Sequence, residues 1–134
     1  MELVVADSSF YISELRVKRQ PFFEMEALGD AVEWATTGMV ILEVCRGLTI
    51  PRMRVDFLAR YSAMVYLPTA NPVWEHATRL AWDLDRRGRT IPAQDILIAS
   101  HCLRHDARLL TCDSHFSLIS GLKIAGSLED LRAL

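Results

Sequence analysis

The sequence of 134 residues predicts an α/β fold in which a parallel sheet is flanked by helices on both faces, a three-layer sandwich. Short apolar runs rich in β-branched residues recur along the chain, and longer amphipathic segments separate them. Glycine, proline and asparagine stand at the boundaries between these segments. Hydrophobic residues make up 51% and charged residues 24%, which is typical of a globular protein, and the length suits a single domain over residues 1–134.

The first third of the chain predicts two strands with helices after each. Leu3–Ala6 is a β-prone run, and the Asp7-Ser8-Ser9 segment that follows can cap a helix. A polar break precedes a second helical segment, which ends near Gly29. The predicted elements are a strand over 3–6, helices over 10–15 and 22–28, a strand over 32–36 and a helix over 39–47.

The middle of the chain predicts three helices around a third strand. Pro51 suits the first position of a helix, because its missing N–H is not needed there. Asn71-Pro72 opens a longer amphipathic helix, which Gly88 ends. The predicted elements are a helix over 51–61, a strand over 63–67, a helix over 71–87 and a helix from 91 to 105.

The last quarter predicts two strands, over 108–111 and 122–125, and a helix from Ser127. Strands and helices therefore alternate along most of the chain. Such alternation favours a parallel sheet, because parallel strands require crossover connections that are usually helical.

Composition and charge exclude several classes of protein. No apolar run approaches the roughly 18 residues of a membrane-spanning helix. The N-terminus begins with acidic Glu2 and lacks the basic and apolar regions of a secretory signal, so we expect a cytoplasmic protein. The net charge of −2 supplies no general attraction for nucleic acid, although all basic residues except Lys18 and Lys123 are arginines.

Three cysteines, Cys45, Cys102 and Cys112, fit neither a zinc motif nor a disulfide framework. We expect them to be reduced thiols in the core. His101 and His105 lie four residues apart on a predicted helix and could contribute to a zinc site, but no third ligand is suitably spaced.

Four acidic residues lie where an open α/β sheet binds its ligands, beyond the carboxyl ends of the strands. Asp7 directly follows the first strand, and Asp113 follows the fourth. Glu43 lies on the helix after the second strand, and Asp95 lies near the start of the helix before the fourth. Because Glu43 and Asp95 are set among aliphatic residues, we expect both side chains to be buried.

Bringing four carboxylates together requires a positive partner. Two unit charges about 4 Å apart repel by about 4 kcal/mol at an effective dielectric constant of 20. The nearby sequence has no lysine, and a donor set of oxygens without cysteine or clustered histidine suits Mg²⁺ or Mn²⁺. Such an ion binds phosphate oxygens and activates water. Alternatively, Asp7 and Asp113 serve only as caps of the segments that follow them.

Arginines and tryptophans supply further candidates for nucleic-acid contacts. Arg46, one turn after Glu43, could bind phosphate, and the same holds for Arg86, Arg87 and Arg89. The alternative for this arginine segment is a solvated helix end that interacts with the helix dipole. Trp74 and Trp82 fall at helical intervals, and we expect them to pack in the interior.

Four segments of the chain resemble the PIN domain, in particular that of VapC-type toxins. These segments are Val5–Ser9, Ile41–Gly47, Arg87–Ala99 and Leu109–Phe116. The resemblance covers essentially the whole chain and implies a metal-dependent endoribonuclease from a toxin–antitoxin pair. It matches the catalytic and metal-binding acidic quartet to Asp7, Glu43, Asp95 and Asp113, and the supporting hydroxyls to Ser9 and Thr111.

The resemblance also implies an RNA substrate, a homodimer and an antitoxin segment that blocks the active groove. One local departure is that family members often carry a further acidic or basic residue before the final phenylalanine, where this chain has Ser114-His115. The alternative is a PIN-like domain that has lost catalysis and only binds RNA or a protein partner.

Overall fold

A five-stranded, all-parallel sheet lies at the centre of the computed structural model, which describes residues 1–133. Helices cover both faces of the sheet, so the predicted three-layer fold is confirmed. The strands are β1 (Glu2–Ala6), β2 (Val32–Thr36), β3 (Val65–Tyr66), β4 (Arg108–Leu110) and β5 (Ile124–Ala125). The helices are α1 (Ser8–Arg16), α2 (Pro21–Glu26), α3 (Gly38–Arg46), α4 (Pro51–Ser62), α5 (Asn71–Arg86), α6 (Ala93–His105) and α7 (Leu128–Arg132). Two short 3-10 helices span Gly29–Ala31 and Ser114–Leu118.

The strand order β3-β2-β1-β4-β5 places β1 in the middle of the sheet. In the register, Val5 of β1 lies beside Ala35 on one side and Leu109 on the other. The chain first adds β2 and β3 on one side of β1 and then returns to add β4 on the other side. The carboxyl ends of β1 and β4 therefore form a topological switch point, where open α/β sheets bind ligands.

The core surrounds β1 and α6. Val4, Val5 and Ala6 are fully buried, because a central parallel strand is covered by helices on both faces. The seven residues Ile96–Cys102 of α6 are all buried as well. The first turn of α6 precedes this buried segment and lies at the carboxyl edge of the sheet.

A cluster of four aromatic rings lies where α1, α2 and α4 meet. Its members are Tyr11, Phe22, Phe57 and Tyr61, with ring centroids 4.9–6.4 Å apart and mostly edge-on orientations. Such contacts add to the stabilisation from apolar burial. The cluster holds these helices together, including α1, whose first residues adjoin the switch point.

Two predictions of burial are wrong. Trp74 and Trp82 on α5 are 52% and 58% exposed. With 3.6 residues per turn, they lie about 100° and 180° around the helix from Val73, which is on the buried face. Cys112 is exposed and Cys45 is half-buried, so only Cys102 is a core thiol; all three are free.

The strand bounds also differ at the sheet edges. β3 and β5 each contain two residues, fewer than predicted, because an edge strand pairs along one side only and the ladders here are short. Within residues 1–133, no helix combines the length and the apolar character needed to cross a membrane.

Replacing Phe57 by alanine tests the aromatic cluster. Phe57 is 1% exposed, and we expect Phe57→Ala to lower the free energy of unfolding by about 3–5 kcal/mol. Phe23→Ala is the matched control, because Phe23 on α2 is 65% exposed and its loss should change the stability by less than about 1 kcal/mol. Urea denaturation measures both, and equal losses would contradict this account of the packing.

Candidate active site

Asp7 follows β1 directly and is 1% exposed. Its Oδ1 accepts hydrogen bonds from the backbone N–H of Ser9 at 3.1 Å, the N–H of Phe10 at 3.4 Å and the hydroxyl of Ser9 at 2.5 Å. Its Oδ2 accepts from the hydroxyl of Thr111 at 2.8 Å. Asp7 is therefore the N-cap of α1, as one interpretation of the sequence expected, and its carboxylate is also held in one orientation at the switch point.

Ser9 and Thr111 connect the start of α1 to the loop after β4. The backbone N–H of Cys112 donates to Ser9 Oγ at 3.0 Å, and that of Asp113 donates to Thr111 Oγ1 at 3.0 Å. The two hydroxyl oxygens are 3.4 Å apart. The hydroxyl groups thus position both Asp7 and the backbone that carries Asp113.

Asp95 and Asp113 meet at this edge of the sheet, together with a histidine. Ligand atoms of Asp95, Asp113 and His115 all lie within 4.8 Å of one another. His115 Nε2 is 2.8 Å from Asp95 Oδ2. The three side chains come from the first turn of α6, the end of the β4 loop and the 3-10 helix over 114–118.

Asp113 occupies the N-cap position of this 3-10 helix, but within residues 1–133 its side chain makes no capping hydrogen bond. The cap interpretation of Asp113 is therefore wrong. The side chain is exposed and grouped with Asp95 instead.

Glu43 lies on α3, where it accepts a hydrogen bond from the hydroxyl of Ser8 at 3.4 Å. Burial raises the pKa of Glu43, and the negative charges of Asp95 and Asp7 raise it further, whereas the Arg46 cation lowers it. Glu43 therefore shares an electrostatic environment with two other members of the quartet.

The expected burial of Glu43 and Asp95 is only partly correct, since both side chains are half-buried. Partial exposure leaves both carboxylates accessible to a small ion.

The site accumulates negative charge. Burial raises the pKa of Asp7 and that of Asp95, and the charge of Asp113 raises both further. Hydrogen bonds from Ser9, Thr111 and Phe10 oppose the shift at Asp7, and His115 opposes it at Asp95. A divalent cation would remove this repulsion, and carboxylate oxygens are suitable ligands for Mg²⁺ or Mn²⁺.

The histidine in this group was missed as a functional candidate. His115 appears in the sequence only as a departure from a family pattern, and its partner Asp95 is 20 positions earlier. The one signal in the sequence for a functional role of His115 was its position two residues after Asp113, which follows a strand. It adds a nitrogen to a donor set that the sequence predicted to contain oxygens alone.

The other candidate residues lie outside this cluster. His101 is buried, with Nε2 2.9 Å from the Thr69 hydroxyl, and burial followed by the charge of His105 lowers its pKa to about 4. In the part of the chain that the structure describes, neither His101 nor His105 belongs to a group of three potential metal ligands. The structure thus gives no support to a zinc site there.

The candidate phosphate-binding arginines, Arg46, Arg86, Arg87 and Arg89, are all exposed. The Arg86 guanidinium lies over the Trp82 ring, 4.7 Å from its centroid. Their role in binding phosphate stays a prediction.

The sequence matches the family model of the PIN domain over residues 4–122. This match covers most of the chain, so the protein belongs to the PIN domain family, and the predicted resemblance is confirmed. No curated protein is significantly similar to the chain in sequence.

Several solved structures share the fold. DNA-bound VapBC from Salmonella typhimurium has a TM-score of 0.77 and 18% identity, over 93% of this chain and 98% of that chain. VapBC2 from Rickettsia felis, bound to a DNA fragment from its promoter, has a TM-score of 0.76 and 18% identity, over 92% and 97%. VapC20 from Mycobacterium tuberculosis, a toxin that cleaves the sarcin–ricin loop, has a TM-score of 0.67 and 17% identity, over 89% and 95%. At these identities the similarity establishes the fold.

Replacing Asp7 by asparagine tests whether the buried negative charge of Asp7 destabilises the protein when no metal ion is bound. Because the pKa of Asp7 is raised in the folded state, the wild type loses stability as the pH rises through that pKa. Asparagine is an equally good N-cap and carries no charge. In EDTA, we expect Asp7→Asn to unfold at higher urea concentration than the wild type at about pH 7, and the difference to shrink toward about pH 4.

Asp83→Asn is the matched control, because Asp83 is exposed on α5. Its urea midpoint should follow that of the wild type at every pH. A midpoint for Asp7→Asn that is no higher than that of the control at neutral pH would show that hydrogen bonds fully compensate the buried charge.

Proposed function

We propose that this protein is a metal-dependent endoribonuclease and the toxin of a toxin–antitoxin pair. The observation that supports the proposal is the group formed by ligand atoms of Asp95, Asp113 and His115, all within 4.8 Å of one another. Asp7 and Glu43 lie outside that group, but the charge of Asp113 raises the pKa of Asp7, and the charge of Asp95 raises that of Glu43. Membership of the PIN domain family supports a nuclease. The similar fold of VapC20, which cleaves the sarcin–ricin loop, supports RNA as the substrate.

In this proposal Asp7, Glu43 and Asp95 would hold Mg²⁺ or Mn²⁺ directly or through water, and Asp113 would complete the site. A bound ion of this kind lowers the pKa of a water molecule and neutralises charge on the scissile phosphate. The Ser9 and Thr111 hydroxyls keep Asp7 in its orientation through the hydrogen bonds described above. The half-buried state of Glu43 and Asp95 excludes part of the solvent while it leaves a path for the substrate.

The proposed reaction is hydrolysis by in-line attack of water on phosphorus. The water oxygen forms a bond to phosphorus, the bond from phosphorus to the 3′-oxygen breaks, and a proton ends on that 3′-oxygen. The products carry a 5′-phosphate and a 3′-hydroxyl, and the 2′-hydroxyl takes no part. Exposed Arg46, one turn from Glu43, is placed to bind a neighbouring phosphate, and Arg86, Arg87 and Arg89 are further candidates.

A groove beside the site supports an antitoxin partner. It has a volume of about 340 Å³ and lies between α1 and α3. Ile12, Leu15 and Leu48 supply apolar lining, and Arg16 and Glu43 are its charged residues. A partner segment with apolar side chains and a basic group would cover both the groove and the carboxylates. The similar structures from Salmonella typhimurium and Rickettsia felis are VapBC complexes.

A homodimer and a cytoplasmic location are parts of the same proposal.

Cleavage of RNA tests the proposed activity. Tag-free protein is incubated with a sarcin–ricin-loop hairpin, a tRNA and a single-stranded RNA, each with Mg²⁺, with Mn²⁺ or with EDTA. We expect metal-dependent cleavage of at least one RNA, products with 5′-phosphate ends, and a loss of about 100-fold or more in Asp7→Asn and Asp95→Asn, since each removes a charged ligand. Denaturing gels and end-group analysis measure the products.

The matched control is again Asp83→Asn, which should cleave like the wild type. Cleavage that is equal in the wild type, in Asp95→Asn and in EDTA would contradict the proposal. Binding of RNA without cleavage of any of the three substrates would favour the alternative, a PIN-like domain that binds RNA or a protein partner and has no catalytic activity.

A further inference from the structure

We propose that His115 is a direct ligand of the divalent ion and makes the site prefer Mn²⁺ to Mg²⁺. This inference rests on the proposed function, because it requires the acidic group to hold a divalent ion. It goes further by assigning a nitrogen donor in addition to the four carboxylates and by naming the ion that this donor favours.

The geometry of His115 suits a ligand. Ligands at about 2.1 Å from an octahedral ion lie about 3 Å apart when adjacent and about 4.2 Å apart when opposite. His115 Nε2 is 2.8 Å from Asp95 Oδ2, close to the spacing of adjacent ligands. Ligand atoms of Asp95, Asp113 and His115 all lie within 4.8 Å of one another, so small side-chain rotations would place all three around one ion.

The imidazole is held in this position by its neighbours. Its ring contacts Phe116 at a centroid distance of 4.9 Å, and Phe116 is fully buried. The side chain of His115 keeps 35% of its surface exposed, whereas that of Asp95 keeps 14%. Contact with the buried Phe116 ring therefore orients the imidazole, and its exposed part remains accessible to an ion from solvent.

The imidazole nitrogen of His115 is the reason why we expect the site to prefer Mn²⁺ to Mg²⁺. Mg²⁺ prefers oxygen ligands and retains its waters, so an imidazole adds little to its binding. Imidazole nitrogen binds first-row transition-metal ions more favourably, and Mn²⁺ also accepts carboxylates. A mixed site of three or more carboxylates and one imidazole should therefore favour Mn²⁺ more than a site of carboxylates alone.

Metal binding to the tag-free, full-length protein tests the inference without an activity assay. Calorimetry with Mn²⁺ alone and with Mg²⁺ alone is compared between the wild type and His115→Gln. Glutamine can still hydrogen-bond to Asp95 and offers an oxygen. We expect the affinity for Mn²⁺ to fall about tenfold or more and that for Mg²⁺ to fall less than about threefold. His105→Gln, an exposed histidine on α6, is the matched control and should change neither affinity.

Pulsed electron paramagnetic resonance of bound Mn²⁺ gives an independent readout. The wild type and His105→Gln should show coupling to ¹⁴N, and His115→Gln should lack it. If His115→Gln does not fold, wild-type protein labelled with ¹⁵N at histidine decides, because the ¹⁴N signal must then be replaced by that of ¹⁵N.

Two results would overturn the inference and leave the proposed function in place. One is Mn²⁺ bound to the wild type without nitrogen coupling, and the other is an equal loss of Mn²⁺ and Mg²⁺ affinity in His115→Gln. A different result, in which neither ion binds the wild type or Asp95→Asn binds both ions as tightly as the wild type, would overturn the proposed function and this inference together.

Discussion

The carboxylate of Asp7, buried at the carboxyl end of the central strand, is the constraint on which the site depends. An ionised carboxylate in that position is unfavourable unless hydrogen bonds or a cation compensate it. Ser9 and Thr111 supply hydroxyl donors from opposite sides of the switch point. Because Thr111 Oγ1 also accepts from the Asp113 backbone, the same network positions a second acidic residue. The arrangement of the site is thus coupled to the junction between β1, α1 and β4.

The hydrogen bonds orient the carboxylates but do not neutralise them. Burial raises the pKa values of Asp7, Glu43 and Asp95, and the charge of at least one other acidic residue of the quartet raises each of them further. A divalent cation would attract each of these carboxylates and so offset the repulsion between them. In the proposed function, binding of RNA would require the ion, since an anionic cluster repels phosphate. Membership of the PIN domain family supports a nuclease, and this charge distribution is the reason why we propose that a metal ion assists the reaction.

Two regions of the protein surface differ in character. The groove between α1 and α3 is mostly apolar, with Arg16 and Glu43 as charged lining residues, which suits a protein segment. The end of α5 carries exposed arginines and an exposed tryptophan, with Arg86 stacked on Trp82, which suits nucleic acid better than a protein core. In the proposed function, a partner segment in the groove would block catalysis by covering the carboxylates.

Much of the architecture was readable from the sequence, because it depends on local signals. The strand over 32–36 and the start of α5 at Asn71 were predicted at their observed positions, since β-branched runs, prolines and glycines act within a few residues. The four acidic residues were also identifiable, because each stands at a recognisable distance from a strand or helix end. Their expected convergence followed from the topology of parallel sheets.

Tertiary structure alone decided the contacts between segments distant in sequence and the exposure of each side chain. The pairing of His115 with Asp95 joins a 3-10 helix to the first turn of α6, and no local pattern specifies their approach. The exposure of Trp74 and Cys112, and the half-buried state of Glu43, depend on which neighbouring elements cover each residue. Local sequence determines backbone conformation through short-range sterics and hydrogen bonds, whereas burial and charge environment arise only when the whole chain packs.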